Sequence, residues 1–523
     1  YGDHRDLHRL IRRQRQMCIR DSIYIIEGTI GISNAILTIQ PGTIIKFKEG
    51  ASIVVETGGG IMAQGTVDNP IVFTATQPQT GWWDYIWFSS DALFSQCVLN
   101  HCTIEYGGGY GTEYGMIYCD DASPTITNCL IKHSQSYGVC LAGNSKPVFK
   151  NNLLSNNNIP LQVNFANAYV IDSCDFQNNT QQYIEVNQAT LTSNATWQKQ
   201  AIPYLVKGGA IQNAVLTLLP GITLWLESGA ELTVNSGGGL IAEGTPTELI
   251  TITGRNKQSG YWDYIWFTDN AIDAQCRFKY CTIEYGGGYS SDYGMIQCES
   301  ASPTIINCTL RYSEAYGVCF TENSQPIFRD NIVTNNNIPI QVNFANAGFI
   351  KEGNYTGNTH DYIEVNSATL SQNTTWVKQD IPYLIEDGTI QNATLTIMAG
   401  ATIWLATDAE LVIDAGGALI ADGTNEQITF TAQFKQKGAW DYIWFSSNCQ
   451  ANECKLINCL IEYGGGYSSD YAMIYCEDVA PLINNCYIQN SATWGIYYPL
   501  NPQLVENNNN FSNNTSGDIQ PQD

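Results

Sequence analysis

The stretch Met116–Val163, MIYCDDASPTITNCLIKHSQSYGVCLAGNSKPVFKNNLLSNNNIPLQV, repeats one short apolar motif at a fixed step. Ile117, Val139 and Leu161 lie 22 residues apart, inside the alternating segments MIYC, GVCL and PLQV. Alternation over a few residues, punctuated by Asn, Gly and Ser, reads as short strands. Ile126, Val148 and Val170 form a second series at the same step. Further on, Ile296, Val318 and Ile340 repeat the first series and Ile305, Ile327 and Phe349 the second, and Ile474 and Ile496 extend the first. No segment carries a helical period. The LxxLxL pattern of leucine-rich repeats is absent, and propeller blades recur at about 40–45 residues. What remains is an all-β parallel β-solenoid, in which each coil is a few strands and like residues stack about 4.8 Å apart. At 22 residues per coil, the chain makes roughly 23 coils. The Asn clusters at the turns suit side-chain amide ladders and left-handed corners.

A longer period lies over this one. WDYIWF begins at Trp83, Trp262 and Trp440, about 179 residues apart. Repeat 1 therefore spans 23–200, repeat 2 spans 201–379 and repeat 3 spans 380–523, expected to form one continuous solenoid. Repeat 3 stops in mid-pattern near DIQPQD, so the C-terminus is expected to be incomplete. Residues 1–22 stand apart. They hold six of the 24 Lys and Arg but three of the 49 Asp and Glu, and they lack the apolar core of a signal peptide. RRQRQMCIRDS resembles translated sequencing-adapter read-through of the kind seen in metagenomic assemblies, so residues 1–22 are set aside as non-native or disordered.

Apolar residues make up 44% of the 523-residue chain and charged residues 14%, the balance of a packed protein with a weakly charged surface. A net charge of −25 argues against nucleic acid as a partner. No apolar run is long enough to insert in a membrane. The 17 cysteines follow the repeat, as in Cys102, Cys281 and Cys459, without a CxxC or a recurring His. They read best as small core hydrophobes, with Cys119 facing in and Cys140 facing out; disulfides between coils stay open.

LTIQPGTIIKFKEGASIVVETGGGIMAQGT (Leu37–Thr66), GWWDYIWF (Gly81–Phe88), CTIEYGGG (Cys102–Gly109) and SPTITNCLI (Ser123–Ile131) together resemble secreted and cell-surface right-handed parallel β-helix repeat proteins of the pectin lyase-like superfamily. The resemblance covers nearly everything after residue 22 and implies a right-handed β-helix with an extracellular or cell-surface location. It leaves function open, since that superfamily holds lyases, hydrolases and adhesins. Lyases of this fold combine carboxylates holding calcium with a basic residue. Here the arginines after residue 22 are Arg255, Arg277, Arg311 and Arg329, all in repeat 2 and in no lyase motif. The GHG segment of the hydrolases is missing, and His101, His133 and His360 do not recur.

From Ile104 to Ile131 is 27 residues, five more than a coil, and the excess lies in GGGYGTEY. Loops projecting from a solenoid are where function usually sits. If Ile86 and Phe88 face inward, Tyr85 and Trp87 face outward beside this loop. Aromatic faces next to carboxylates suit sugar rings. The candidate ligand-binding set is Trp87, Glu105, Tyr110, Glu113 and Tyr114; then Trp266, Glu284, Tyr289, Asp292 and Tyr293; then Trp444, Glu462, Tyr467, Asp470 and Tyr471. Three such patches about 39 Å apart would give avidity on a polymer. The packing-only alternative makes the aromatics a cover for the interrupted ladder and the glycines a source of positive φ.

Carboxylates recur at Asp84, Asp263 and Asp441 and after the loop. Asp120, Asp121, Glu477 and Asp478 are candidate calcium ligands; glycoside hydrolysis by a carboxylate pair and a merely solvated acidic edge are the alternatives. No other cofactor is implied. The favoured reading is a non-catalytic extracellular or surface rod, an adhesin, spacer or matrix component, whose partner is a polysaccharide or cell-surface glycan. A polysaccharide lyase or glycoside hydrolase is the alternative, and a self-assembling structural rod a further one.

Overall fold

The computed structural model describes residues 17–19, 23–498 and 508–520, and their pairings between strands are parallel throughout. The rest of the segment set aside, 1–16 and 20–22, lies outside the described residues, as does the end of DIQPQD. Met17–Ile19, inside that segment, runs parallel to Leu37–Ile39. The fold is a parallel β-solenoid of about 21 turns rather than 23. Among the described residues the only helical pieces are four short 3-10 turns, and no helix is long and apolar enough to cross a membrane.

The chain forms two compact units, 1–232 with 238–255, and 233–237 with 256–523. Their boundary falls inside repeat 2, so compact units and sequence repeats do not coincide. In the first unit each coil contributes one strand to each of three sheets. One sheet runs through Ile36–Ile39, Gly60–Gln64, Cys97–Asn100 and Thr125–Thr127. The second runs through Ile44–Phe47, Ile71–Ala75, Cys102–Glu105 and Leu130–Lys132. The third runs through Ser52–Val55, Ile86–Phe88, Gly115–Asp120 and Tyr137–Ala142.

Stacking holds the coils together. Ile86, Ile117, Val139 and Leu161 pair in register on the third sheet and are fully buried. The second series is offset by one from the expected step. Ile126 stacks on Phe149, a 23-residue step, and Phe149 on Ile171, a 22-residue step, while Val148 is exposed. Likewise Ile305 stacks on Phe328, and Ile327 is exposed. The corner between the third and first sheets causes this: Phe149 comes ten positions after Val139 but Ile126 only nine after Ile117, whereas the corner at Asn128 and Asn151, left-handed at φ 55° each, has the same length in both coils. The amide ladders form as the Asn clusters suggest. Asn152 accepts from the Cys129 N–H at 2.9 Å and donates to the Ile126 carbonyl at 2.8 Å, so a buried amide closes two backbone groups of the coil beside it.

The second unit fixes where its two aromatic segments lie. From Tyr264–Phe267, its sheet climbs through Gly294–Glu299, Tyr316–Thr321, Ile338–Asn343, Ile363–Asn366, Tyr383–Ile385 and Thr402–Leu405 to Ile428–Ala432, seven steps. Tyr442–Phe445 is the next strand along the chain and belongs to a different sheet. The long repeat is therefore seven coils plus one face, short of the expected spacing of about 39 Å. The segments are separated by about 34 Å along the axis and by roughly a third of a turn around it.

Candidate functional site

Each loop encloses a tryptophan. Trp83 is fully buried, stacks on Phe47 at 4.2 Å, and donates its indole N–H to the Glu105 carbonyl at 2.9 Å. Trp262 and Trp440 make the same bond to Glu284 and Glu462. The three glycines serve this packing. A Cβ on Gly107 would come within 2.7 Å of the Trp83 ring and the Met116 side chain, and one on Gly109 within 2.2 Å of the Gly81 carbonyl. Only the middle residue, Gly108, has a positive φ, 78°. Close approach, more than backbone freedom, requires glycine here, which corrects the expectation.

Outside this core lies a cluster of rings. Tyr85 meets Trp87 edge-on at 5.7 Å and Tyr110 at 5.3 Å; Tyr110 meets Tyr114 at 4.9 Å, and Tyr114 meets Tyr118 at 5.0 Å. The second copy joins Tyr264, Trp266, Tyr289 and Tyr293. The third joins Tyr442, Trp444, Tyr467, Tyr471 and Tyr475. The loop folds back over the first tyrosine, so Tyr85, Tyr264 and Tyr442 point outward yet are buried. The tyrosine at the loop tip stays open: Tyr110, Tyr289 and Tyr467 are 57%, 53% and 54% exposed. In all three copies the indole N–H of the outward tryptophan, Trp87, Trp266 or Trp444, is buried with no hydrogen-bond partner. That group can only donate, and leaving it unpaired costs about 1–3 kcal/mol. The indole N–H groups of Trp197 and Trp376, away from these loops, are likewise buried without a partner.

The carboxylates divide. Glu113, Asp292 and Asp470 are exposed in the loops beside the tyrosines. Glu105, Glu284 and Glu462 are not beside the rings; each lies on a neighbouring sheet and binds a side chain one coil on. Glu284 pairs with Arg311 at 2.7 Å and Glu105 with Lys132 at 3.1 Å. Glu462 accepts from Gln489 at 2.8 Å and lies 3.6 Å from Lys435. Register makes these pairs, since Glu105 stacks on Lys132 and Glu284 on Arg311. Such half-buried ladders hold adjacent coils together.

Cys140 does point out, as alternation requires, but it is buried: its thiol contacts Gln162 at 2.6 Å and the Glu113 carbonyl at 3.9 Å. None of the sixteen cysteines from Cys97 to Cys486 is in a disulfide. Of the candidate calcium ligands, Asp121 accepts from the Asn144 N–H at 2.6 Å, and Glu477 from the Ser447 N–H at 3.3 Å. Burial, and then the Asp121 charge, raise the Asp120 carboxyl above its ordinary range. Among the described residues no three His, Cys, Asp or Glu side chains converge as metal ligands.

One group escaped the sequence reading. Asp387, Asp408 and Glu410 gather around Asp441 in repeat 3, and burial followed by their charges raises the Asp441 carboxyl to about 6. Their spacings of 21, 2 and 31 residues mean nothing until the coils are in register.

A family profile described as "Right handed beta helix region" matches residues 85–199, and one described as "Pectate-lyase like beta helix domain" matches residues 13–134. No curated protein and no solved structure matches significantly. Both profiles fall within the first 199 residues, and the same stacked coils recur beyond them. The fold is thus a right-handed parallel β-helix, and its first part matches the pectate-lyase-like β-helix profile.

Proposed function

We propose that this β-helix is a non-catalytic extracellular or surface protein that binds carbohydrate through its three aromatic patches, as an adhesin, spacer or matrix component. The observation that carries the reading is one arrangement in triplicate: an open tyrosine edge-on against a buried one, with an exposed carboxylate in the same loop. A pyranose stacks its C–H face on the exposed ring. Glu113, Asp292 and Asp470 stand at the rim to accept from hydroxyls. Glu105 and Glu284 are tied to cations, which favours binding over acid–base chemistry at these loops.

The test is affinity electrophoresis through neutral and acidic polysaccharides, with and without calcium. Retardation by at least one polysaccharide is expected, weakened by about tenfold or more in Tyr110→Ala/Tyr289→Ala/Tyr467→Ala. Unchanged retardation in that variant overturns the patches. Release of new chain ends from the polymer overturns the non-catalytic part.

A further inference from the structure

The three patches share their rings but not their charge. Beside the third, Asp387 stacks in register on Glu410, and Glu410 on Tyr442. The Tyr442 phenol interacts with the Glu410 carboxylate, and its ring lies 5.5 Å from Tyr467, so acids and rings adjoin. Repeat 2 has Gly208, Gly229 and Glu231 where repeat 3 has Asp387, Asp408 and Glu410. In repeat 1 the residues stacked below Tyr85 are Ser52 and Thr29, joined to each other by a 2.9 Å hydrogen bond.

A fourth acid faces these three. Asp441 is only 7% exposed, and its carboxylate has no hydrogen-bond donor and no ion pair among the described residues. Its Oδ1 is directed at the loop, where a Cβ on Gly466 would stand 3.1 Å away. Asp387 is partnered only by neutral groups, the Glu410 N–H at 2.9 Å and the Ser367 hydroxyl at 3.2 Å. None of the four is neutralised by Lys or Arg in the described structure, in contrast to Glu284 with Arg311. A buried carboxylate without a donor or counter-charge is costly, and a cation from outside relieves it. The four do not converge as a metal ion's ligands would. An ammonium group needs one close carboxylate and feels the others through their charge, so it suits acids spread over successive coils.

We propose that the repeat 3 patch binds an amine-bearing sugar, its ring on Tyr467 and its ammonium among Asp387, Asp408, Glu410 and Asp441. The proposal rests on the carbohydrate reading and adds the charge of the ligand. Repeats 1 and 2 lack this selectivity because they lack the added acids.

Calorimetry on the full chain tests it, with a glucosamine hexamer and an N-acetylglucosamine hexamer as probes at mildly acidic pH. The free-amine hexamer is expected to bind about tenfold tighter or more. In Asp387→Asn/Asp408→Gly that preference falls to within about threefold, with N-acetyl binding unchanged. The asparagine keeps an acceptor for the Glu410 N–H, and the glycine is the residue of repeats 1 and 2, so the variant is built to fold. Asp441→Asn is the second variant, with the same expected loss. Equal binding of both hexamers, or a preference that survives the double variant, overturns the amine selectivity and leaves the sugar platform standing. Stoichiometric calcium binding that the double variant abolishes, without any hexamer preference, makes it a metal site and overturns the proposal. Binding of neither hexamer overturns this proposal and counts against the carbohydrate reading itself.

Discussion

Asp84 and Asp441 occupy the same turn after the same buried tryptophan, beneath the same tyrosines, and yet they experience different fields. Burial alone raises the Asp84 carboxyl, whereas Asp441 feels burial and then Asp408, Glu410 and Asp387. A solenoid allows this divergence because each coil's outward residues contact only the coils beside them. Changing Gly to Asp at one corner alters the field over the next coil and leaves the stacked interior alone. The repeats thus share packing and differ in electrostatics, and substitutions should separate the two.

The largest effect should be common to both repeats. Trp83→Ala and Trp440→Ala each remove a fully buried ring and its hydrogen bond, and each is expected to cost about 3–5 kcal/mol in denaturant unfolding. A cost below about 1 kcal/mol at either position would mean that the tryptophan does not anchor its loop. Next come Gly107→Ala and Gly464→Ala, where the new methyl meets the tryptophan ring within 2.7–2.8 Å; a loss of about 1–3 kcal/mol is expected in both.

Smaller effects should split the repeats. The raised Asp441 carboxyl means that the folded chain holds this proton more tightly than the unfolded one. Its ionisation cost is therefore complete above about pH 6 and vanishes below the ordinary value of 3.8. Protonation relieves repulsion from Asp387, Asp408 and Glu410 on neighbouring coils, with Tyr442 the adjacent titratable phenol. Asp441→Asn should stabilise the chain by about 1 kcal/mol at pH 7.5, screening included, and by almost nothing at pH 3.5. Asp84→Asn should show a weaker pH dependence; equal profiles for the two would refute the contrast. The smallest effect belongs to Asp408→Gly. Asp408 sits at φ 60° where Gly50 and Gly229 sit at 66°, so glycine relieves strain but adds unfolded-state freedom. A net gain of about 0.5 kcal/mol is expected, while Asn34→Gly, also left-handed but remote from the acids, isolates the backbone part.

What could be read from the sequence was what stacking repeats. Ile117, Val139 and Leu161 announced their register because each coil offers the same slot to the same kind of residue. The step from Ile126 is misread by one residue because Val148 and Phe149 are both apolar, and only the length of the corner between Val139 and Phe149 decides between them. Glu284 looked close to the loop tyrosines because it is close in the chain, but a bend at Tyr285, φ 70°, separates them onto different sheets. Asp387 and Asp408 were invisible for the converse reason: neighbours in space, they are separated from Asp441 by two coils and one coil of chain respectively.

The seven-coils-plus-one-face spacing has a consequence for how many chains the second unit can hold. The patches around Tyr289 and Tyr467 face different directions, so no straight polymer lies across both. A flexible strand would have to wind around the unit to reach them together. A stiff one would leave the other patch free for a second strand. If the two also differ in the charge they accept, the unit becomes a cross-linker with unlike ends, tying a neutral fibre to a cationic one.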